Sequence, residues 1–156
     1  MWKGTLVSIH VAPAAAVPIR TVREARVVPG KGIEGDRYFD GRGTWSSHPG
    51  AGREVTLIEI EAIEAVRREH GIELAAHDAR RNLVTRGVPL NHLVGREFRI
   101  GEARFKGIRL CEPCIHLEGL TRKSVKAALI HRGGLRAEVV REGTLRAGDV
   151  VEEVDR

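Results

Sequence analysis

The stretch that decides the fold is Ala103-Arg104-Phe105-Lys106-Gly107-Ile108-Arg109-Leu110, which runs directly into Cys111-Glu112-Pro113-Cys114. The first eight residues are rich in apolar side chains, follow Gly101 and contain Gly107, which predicts a β-strand with a kink or bulge at that glycine. Pro113 lacks a backbone donor and disfavours helical geometry in the residue before it. We therefore expect both cysteines of the chain in a tight turn at the end of a rigid strand, where binding chemistry is commonly found.

Three interpretations of this cysteine pair stay open. A Cys-x-x-Cys pair can form half of a structural zinc site with His116 as a third ligand, although the chain has no second cysteine pair. A redox pair of the thioredoxin type needs a helix N-terminus at its first cysteine, whereas Ile115 to Gly119 indicates an extended segment. Two buried structural thiols are the third interpretation, but a polar turn with a proline and a glutamate makes a poor core.

Length and composition predict a single domain spanning residues 1–156, which is long enough to bury a substantial core without disulfide or metal staples. The apolar runs are far too short to cross a bilayer. Two cysteines at this spacing, with no apolar leader behind a charged N-terminus, are typical of a reducing compartment. We therefore expect a cytoplasmic protein without a membrane partner.

The excess of positive charge is compatible with an anionic ligand. The chain has 26 Lys and Arg against 21 Asp and Glu, a net charge of +5. Such a surplus is compatible with nucleic acid or with a phosphorylated small molecule. The arginines are spread along the whole sequence and aromatic residues make up only 4% of it, too few for base-stacking platforms. We therefore expect no nucleic-acid partner.

Most of the remaining pattern predicts strands, and the prolines at positions 13 and 18 predict a loop after the first one. The predicted strands are Trp2 to His10, Ala25 to Val28, Arg53 to Ile58, Leu83 to Thr85, Phe98 to Ile100, Ala103 to Leu110, Leu135 to Val140 and Asp149 to Val154. The predicted helices are Glu59 to His70, stopped by Gly71, Thr121 to His131, and one turn at Leu90 to Leu93. This count predicts a mostly β, barrel-like domain with peripheral helices.

Two polar segments are candidate anion sites. In Lys31-Gly32-Ile33-Glu34-Gly35-Asp36-Arg37, the carboxylate of Asp36 can accept backbone N–H bonds and hold Arg37 in place. This segment is either a loop that presents Arg37 to an anion or a tight turn with an aspartate cap, and both interpretations stay open. In Arg80-Arg81-Asn82, two arginines and an amide at the entrance of a strand suit a phosphate or a carboxamide-like heterocycle.

The stretch from Tyr38 to Gly52 has no period and many turn-forming residues. A loop of this length inside a compact domain is uncommon and is usually functional or disordered. Full exposure of the Trp45 and His48 side chains to solvent, without a contact partner, would be unfavourable. The sequence therefore predicts a lid over a ligand site.

Six motifs follow one another along the chain. They are Gly32-Ile33-Glu34-Gly35-Asp36-Arg37, Arg53-Glu54-Val55-Thr56-Leu57-Ile58, Arg80-Arg81-Asn82-Leu83-Val84-Thr85, Leu90-Asn91-His92-Leu93-Val94-Gly95, Cys111-Glu112-Pro113-Cys114 and His131-Arg132-Gly133-Gly134-Leu135-Arg136. In this order and spacing they resemble the MOSC domain, named after the C-terminal domain of molybdenum cofactor sulfurases. The resemblance covers the chain from about Ala25 to Val154 and is to small stand-alone bacterial members of the family.

The resemblance implies a MOSC-type β-barrel-like fold and a molybdenum cofactor, a molybdopterin whose phosphate-bearing pterin dithiolene is held in a cleft. Stand-alone bacterial relatives include molybdenum-dependent reductases of N-hydroxylated compounds. In the fused sulfurases a separate pyridoxal-phosphate domain extracts sulfur from cysteine. This chain has no room for that domain, so the resemblance implies no cysteine desulfurase activity of its own.

The resemblance also implies roles for particular residues. Cys114 corresponds to the family cysteine, which either ligates molybdenum or carries sulfur, and soft sulfur is the donor expected for this metal. His116 would deliver or accept a proton, or would simply be hydrogen-bonded in its loop. The residues implied in binding the cofactor are Asp36, Arg37, Arg53, Arg81 and Asn82.

Three functions therefore stay open. The first is a molybdenum-cofactor-binding protein that reduces N-hydroxylated or similar small compounds, with a redox partner. The second is a sulfur carrier, through a cysteine persulfide, or a cofactor-handling module that is not an enzyme alone and works with a sulfur donor protein. The third is a thiol redox or zinc protein.

Overall fold

The computed structural model describes residues 1–14, 17–39, 54–111 and 132–154, and for residues 77 and 78 the backbone alone. Eleven strands and one α-helix lie in these ranges, with two short 3-10 helices at Ala76–Ala79 and Leu90–His92. The strands are β1 (Lys3–Val11), β2 (Arg20–Val22), β3 (Glu24–Val28), β4 (Gly32–Ile33), β5 (Val55–Glu59), β6 (Leu83–Arg86), β7 (Glu97–Ile100), β8 (Ala103–Leu110), β9 (Leu135–Arg141), β10 (Gly143–Arg146) and β11 (Val150–Glu153), and the helix is α1 (Ile60–His70).

Seven strands close into a barrel in the order β11-β7-β8-β9-β5-β6-β1, and the pairing of β1 with β11 completes the ring. All these pairs are antiparallel except β5 with β6, which are parallel because α1 lies in the connection between them. β2 pairs with β1 beside the barrel, while β10, β3 and β4 form a separate small sheet. The prediction of a mostly β, barrel-like fold is confirmed.

The barrel interior is filled with apolar side chains. Phe98 of β7 and Phe105 of β8 are fully buried, and their stacked rings have centroids 5.6 Å apart. Successive side chains of a strand point to opposite faces, so in β5 Leu57 belongs to the interior cluster whereas Ile58 belongs to a second cluster under α1. Both faces of β5 and β6 are therefore buried, which is typical of a parallel pair.

The amphipathic helix was predicted correctly. It begins at Ile60, one residue later than predicted, because Glu59 still belongs to β5. It ends at Gly71, which has a left-handed φ of 66° and donates its backbone N–H to the carbonyl of Arg67 at 3.0 Å. Within the described ranges, no helix has the length and apolar character needed to cross a membrane.

The predicted hairpin between Phe98–Ile100 and β8 is confirmed, as is the irregularity at Gly107. The pairing of β8 with β9 shifts register between Gly107 and Arg109. A Cβ atom at Gly107 would lie only 2.0 Å from the carbonyl oxygen of Leu93. The glycine is therefore needed because a neighbouring backbone passes directly over the strand.

Two segments that were predicted as connections are strands, and those predictions are wrong. β2 lies in the predicted loop after Pro18, and β10 lies in the segment expected to join the last two strands. Neither segment has a clear apolar period in its sequence, because β2 has no buried residue and Leu145 is the one buried apolar side chain of β10. Their strand geometry is set by distant partners, β1 and β3, which local sequence cannot reveal.

Three other predictions lie outside the described residues. They are the part of the predicted lid that follows Phe39, the part of the cysteine turn that follows Cys111, and the helix from Thr121 to His131.

Candidate functional site

The segment after β4 is docked on the end of β1 by Asp36 and Arg37. The carboxylate of Asp36 is fully buried, and its Oδ1 accepts the backbone N–H of Ala12 at 3.0 Å. The same oxygen lies 3.2 Å from Nη1 of Arg37, whose backbone N–H donates to the carbonyl of Ala12 at 2.7 Å. The aspartate is thus a cap and also holds Arg37, whereas the presentation of Arg37 to an anion stays a prediction.

Arg37 is further restrained by an aromatic ring. Its guanidinium lies over the ring of Tyr38, with Cζ 5.0 Å from the centroid. Its side chain is 11% exposed, so a small part of it remains accessible. A guanidinium held by a carboxylate on one side and a ring on another loses little further freedom when it binds an anion.

Arg80 is a candidate site residue that the sequence did not single out from its neighbours. Its φ of 54° makes it the one non-glycine residue with positive φ in the part of the chain that the structure describes. Nη1 donates to the carbonyl of Val17 at 2.8 Å. Burial, and after it the positive charge of Arg37, lower the pKa of Arg80. Strained backbone and crowded positive charge are features of functional sites, and neither can be recognised in the sequence.

The side chain of Arg81 is buried, and within the described residues it forms no ion pair with a carboxylate. It is 8% exposed, its Nε donates to the carbonyl of Gly133 at 2.9 Å, and its Nη1 lies 3.5 Å from the carbonyl of Ala79. Among the described residues, no acidic side chain pairs with Arg81, and its Nη2 has no acceptor. A guanidinium held by neutral carbonyls keeps its full charge and free donors for an anionic group.

Asn82 joins three strands. Its Oδ1 accepts the backbone N–H of Thr56 at 3.1 Å and the hydroxyl of that residue at 3.2 Å. Its Nδ2 donates to the carbonyl of His10 at 3.1 Å, while the N–H of His10 donates to the carbonyl of Asn82 at 2.7 Å. The side chain therefore fixes β1 and β5 to the entrance of β6 and positions Arg81, whereas its predicted contact with a cofactor stays a prediction.

The beginning of the cysteine turn lies beside Arg81. Cys111 is a free thiol, 1% exposed, and its backbone N–H donates to the carbonyl of Gly134 at 2.7 Å. The preceding carbonyl, that of Gly133, is the one that accepts from Arg81. Two consecutive residues thus connect the buried arginine to the segment in which sequence reasoning placed the chemistry.

The other predicted site residues, Arg53, Cys114 and His116, lie outside the described residues. Within the described part, no group of three or more His, Cys, Asp or Glu side chains could hold a metal ion. A zinc site would therefore need ligands from elsewhere in the chain.

Glu54 is a further residue that sequence reasoning did not assign. Its Oε1 accepts the backbone N–H of Gly30 at 3.2 Å and that of Val139 at 3.1 Å. Burial raises its pKa, and the two hydrogen bonds only partly oppose that rise. This carboxylate ties the glycine-rich turn between β3 and β4 to β5 and β9, so it supports the loop that carries Arg37.

Solved structures with a similar fold include YuaD and two YiiM proteins. The YuaD protein from Bacillus subtilis has a TM-score of 0.82 at 16% identity, over 99% of this chain and 100% of that chain. YiiM from Geobacillus stearothermophilus has a TM-score of 0.76 at 16% identity, over 98% and 76%. YiiM from Escherichia coli has a TM-score of 0.68 at 20% identity, over 100% and 71%. At these identities the likeness shows the fold alone.

No curated protein matches the sequence. The family model of the MOSC domain matches residues 45–152, which is more than half of the chain and includes five of the six motifs quoted above. The chain therefore belongs to the MOSC domain family.

Proposed function

We propose that this protein binds a molybdenum cofactor through its terminal phosphate and acts in the molybdenum-dependent reduction of N-hydroxylated or similar small compounds. The observation that carries the proposal is the arginine cluster, by which we mean Arg37 and Arg80, whose charges interact, and Arg81, the next residue along the chain. Asp36 is the one carboxylate that pairs with a member of the cluster within the described residues. Arg37 bonds to Ala12 at the end of β1, and Asn82, the residue after Arg81, bonds to His10 of the same strand.

The side chains of the cluster fit a phosphate group. A phosphate ester carries up to two negative charges, and planar guanidinium groups can contact its oxygens with two parallel hydrogen bonds. Three positive charges against one carboxylate leave an excess that a dianion would neutralise. The free Nη2 of Arg81 and the partly exposed Arg37 would then donate to the phosphate.

The remaining chemistry falls to the cofactor and to the cysteine turn. When bound, the molybdenum cofactor supplies a redox-active metal centre. The thiolate of Cys114 would ligate the metal, and His116 would exchange a proton with the substrate. Arg81 would hold the phosphate end near this turn, because the Gly133-Gly134 pair joins Arg81 to Cys111.

The first experiment measures molybdenum and pterin in protein produced in a host that synthesises the cofactor. We expect near-stoichiometric molybdenum in the native chain, its loss in Cys114→Ser and a milder effect in Cys111→Ser. Reduction of an N-hydroxylated amidine, with reduced viologen as the electron donor, should follow the molybdenum content. A persulfide mass shift on Cys114 in protein without molybdenum would contradict the proposal and favour the sulfur carrier.

The second experiment tests the arginine cluster alone. We expect Arg81→Lys to weaken binding of a phosphorylated pterin about tenfold or more, because lysine loses the forked contact and one charge-assisted hydrogen bond. Arg67→Lys is the matched control, since Arg67 lies exposed on α1. Equal affinities of the native chain and both variants would remove Arg81 from the phosphate site.

A further inference from the structure

A row of arginines crosses three neighbouring strands on the outside of the barrel. Arg99 of β7 lies opposite Arg104 of β8, and Arg104 lies opposite Arg141 of β9. Directly opposite side chains on paired strands have Cβ atoms about 4.5–5.5 Å apart. The adjacent Phe98 and Phe105 point into the core, so Arg99 and Arg104 must point outward.

The charges of this row are not balanced within the described residues. Like charges that face each other on neighbouring strands are destabilising. Arg99 of the row pairs with Glu152, and other arginines of the described surface also pair with glutamates. These are Arg26, Arg68, Arg86, Arg96, Arg132 and Arg146. In the same part of the chain, Arg104 and Arg141 have no carboxylate partner. The electrostatic repulsion between Arg104 and Arg141 is therefore not offset by a carboxylate of the described residues.

The three arginines line an open groove of about 470 Å³, together with Gly101, Glu102 and Glu142. Glu142 pairs with Arg26, and Arg99 pairs with Glu152. This leaves two unpaired arginines and a single unpaired carboxylate, Glu102, in the groove. The lining contains no aromatic or aliphatic side chain, so the groove can recognise charge but not the face of a ring.

We propose that this groove is a second anion site, separate from the arginine cluster, which binds the phosphate group of a small phosphorylated molecule between Arg104 and Arg141. A doubly charged phosphate would neutralise both guanidinium groups and accept forked hydrogen bonds from each. The volume lies within the range of small-ligand sites. A nucleic-acid strand is disfavoured, because Glu102 and Glu142 interrupt the basic row and nothing in the groove can stack on a base.

The test titrates the full chain with inorganic pyrophosphate at low salt, while NMR follows the side-chain Nε–Hε signals of its arginines. We expect the signals of Arg104 and Arg141 to shift in the native protein. The Arg104→Gln/Arg141→Gln double variant, followed through the remaining signal of Arg99 in the same groove, should lose at least about tenfold in affinity for this site. Glu102→Gln should bind more tightly, because it removes the one unpaired negative charge. Arg67→Gln, an exposed arginine on α1, should bind like the native chain.

Three outcomes would overturn the proposal. The first is an unchanged affinity in the double variant or a weaker one in Glu102→Gln. The second is a lower thermal midpoint of the double variant without ligand, since removing repulsion should leave the midpoint equal or raise it. The third is that a short single-stranded DNA binds with a steep salt dependence while pyrophosphate does not bind. Because the readout is the signals of the arginines in this groove, a failure of the proposed cofactor function would leave this test intact.

Discussion

At the scale of single residues, the site depends on polar side chains whose partners come from distant parts of the chain. Asn82 bonds to His10 and Thr56, which are 72 and 26 residues away. Buried polar groups need partners because an unmet donor or acceptor loses its hydrogen bonds to water. The amide therefore holds three strand ends in one arrangement. Because Arg81 is the residue before Asn82, the same bonds fix the position of its backbone.

Asn82→Ala should destabilise the fold. The substitution leaves the backbone N–H of Thr56 and the carbonyl of His10 without their partner, and each such loss costs about 1–3 kcal/mol. Urea denaturation should therefore show a free energy of unfolding lower by about 2 kcal/mol or more. Native stability combined with lost cofactor binding would instead identify Asn82 as a ligand, as the sequence predicted.

Gly134→Ala should destabilise the protein more than Gly30→Ala. Both glycines have positive φ, 108° and 79°, which costs other residues roughly 1–2 kcal/mol. A Cβ atom at Gly134 would also lie 1.9 Å from the carbonyl oxygen of Leu57, whereas nothing lies within 4 Å at Gly30. We expect a further loss of about 1–3 kcal/mol for Gly134→Ala in urea denaturation. Equal losses would show that the close approach to β5 is relaxed without strain.

At the scale of elements, the sequence predicted what local patterns determine. The period of α1, its glycine stop, and the hairpin of β7 with β8 all depend on residues close together in the chain. β2 and β10 depend on pairing with β1 and β3 and were missed. The site divides in the same way. Arg37 and Arg81 could be proposed from their polar surroundings, whereas the strained backbone of Arg80 and the internal bonds of Asn82 require the assembled barrel.

The pH dependence of stability should reveal the connection that Glu54 makes between the glycine-rich turn and the barrel. Burial raises its pKa above the ordinary 4.5, so the folded state holds its proton more firmly than the unfolded chain does. The stability from this group is fully present below that ordinary pKa and is lost as the pH rises through the raised folded pKa. Glu54→Gln keeps an oxygen acceptor for Gly30 and Val139 but removes the ionisation.

We therefore expect Glu54→Gln to gain stability relative to the native protein as the pH rises from acidic to neutral values. Chemical denaturation at a series of pH values measures that difference. Glu97→Gln is the matched control, because Glu97 is exposed on β7. If the stability difference between Glu54→Gln and the native protein stays constant or shrinks as the pH rises, the hydrogen bonds to the Glu54 carboxylate offset the effect of burial on its pKa.

At the scale of the whole molecule, the barrel closes between strands from the two ends of the described chain. β11 lies between β1 and β7, with Val151 opposite Gly4 on one side and Ile100 on the other. Glu152 on the outer face lies near Lys3 and Arg99. Such exposed ion pairs each contribute little, so we infer that the buried side chain of Val151, together with the pairing of β11 to both neighbouring strands, holds the ring closed.

This inference predicts opposite results for two neighbouring positions of β11. Val151 is fully buried, whereas Val150 is 48% exposed. Val151→Asp would place an unpaired carboxylate in the core at a cost of several kcal/mol, comparable to the roughly 5–15 kcal/mol that stabilises a typical domain. Val150→Asp leaves its carboxylate in water and should cost about 1 kcal/mol or less, mostly through lower strand propensity. Circular dichroism and urea denaturation should therefore find Val151→Asp largely unfolded and Val150→Asp folded. If both variants fold with similar stability, β11 is dispensable and the remaining strands form a stable open sheet.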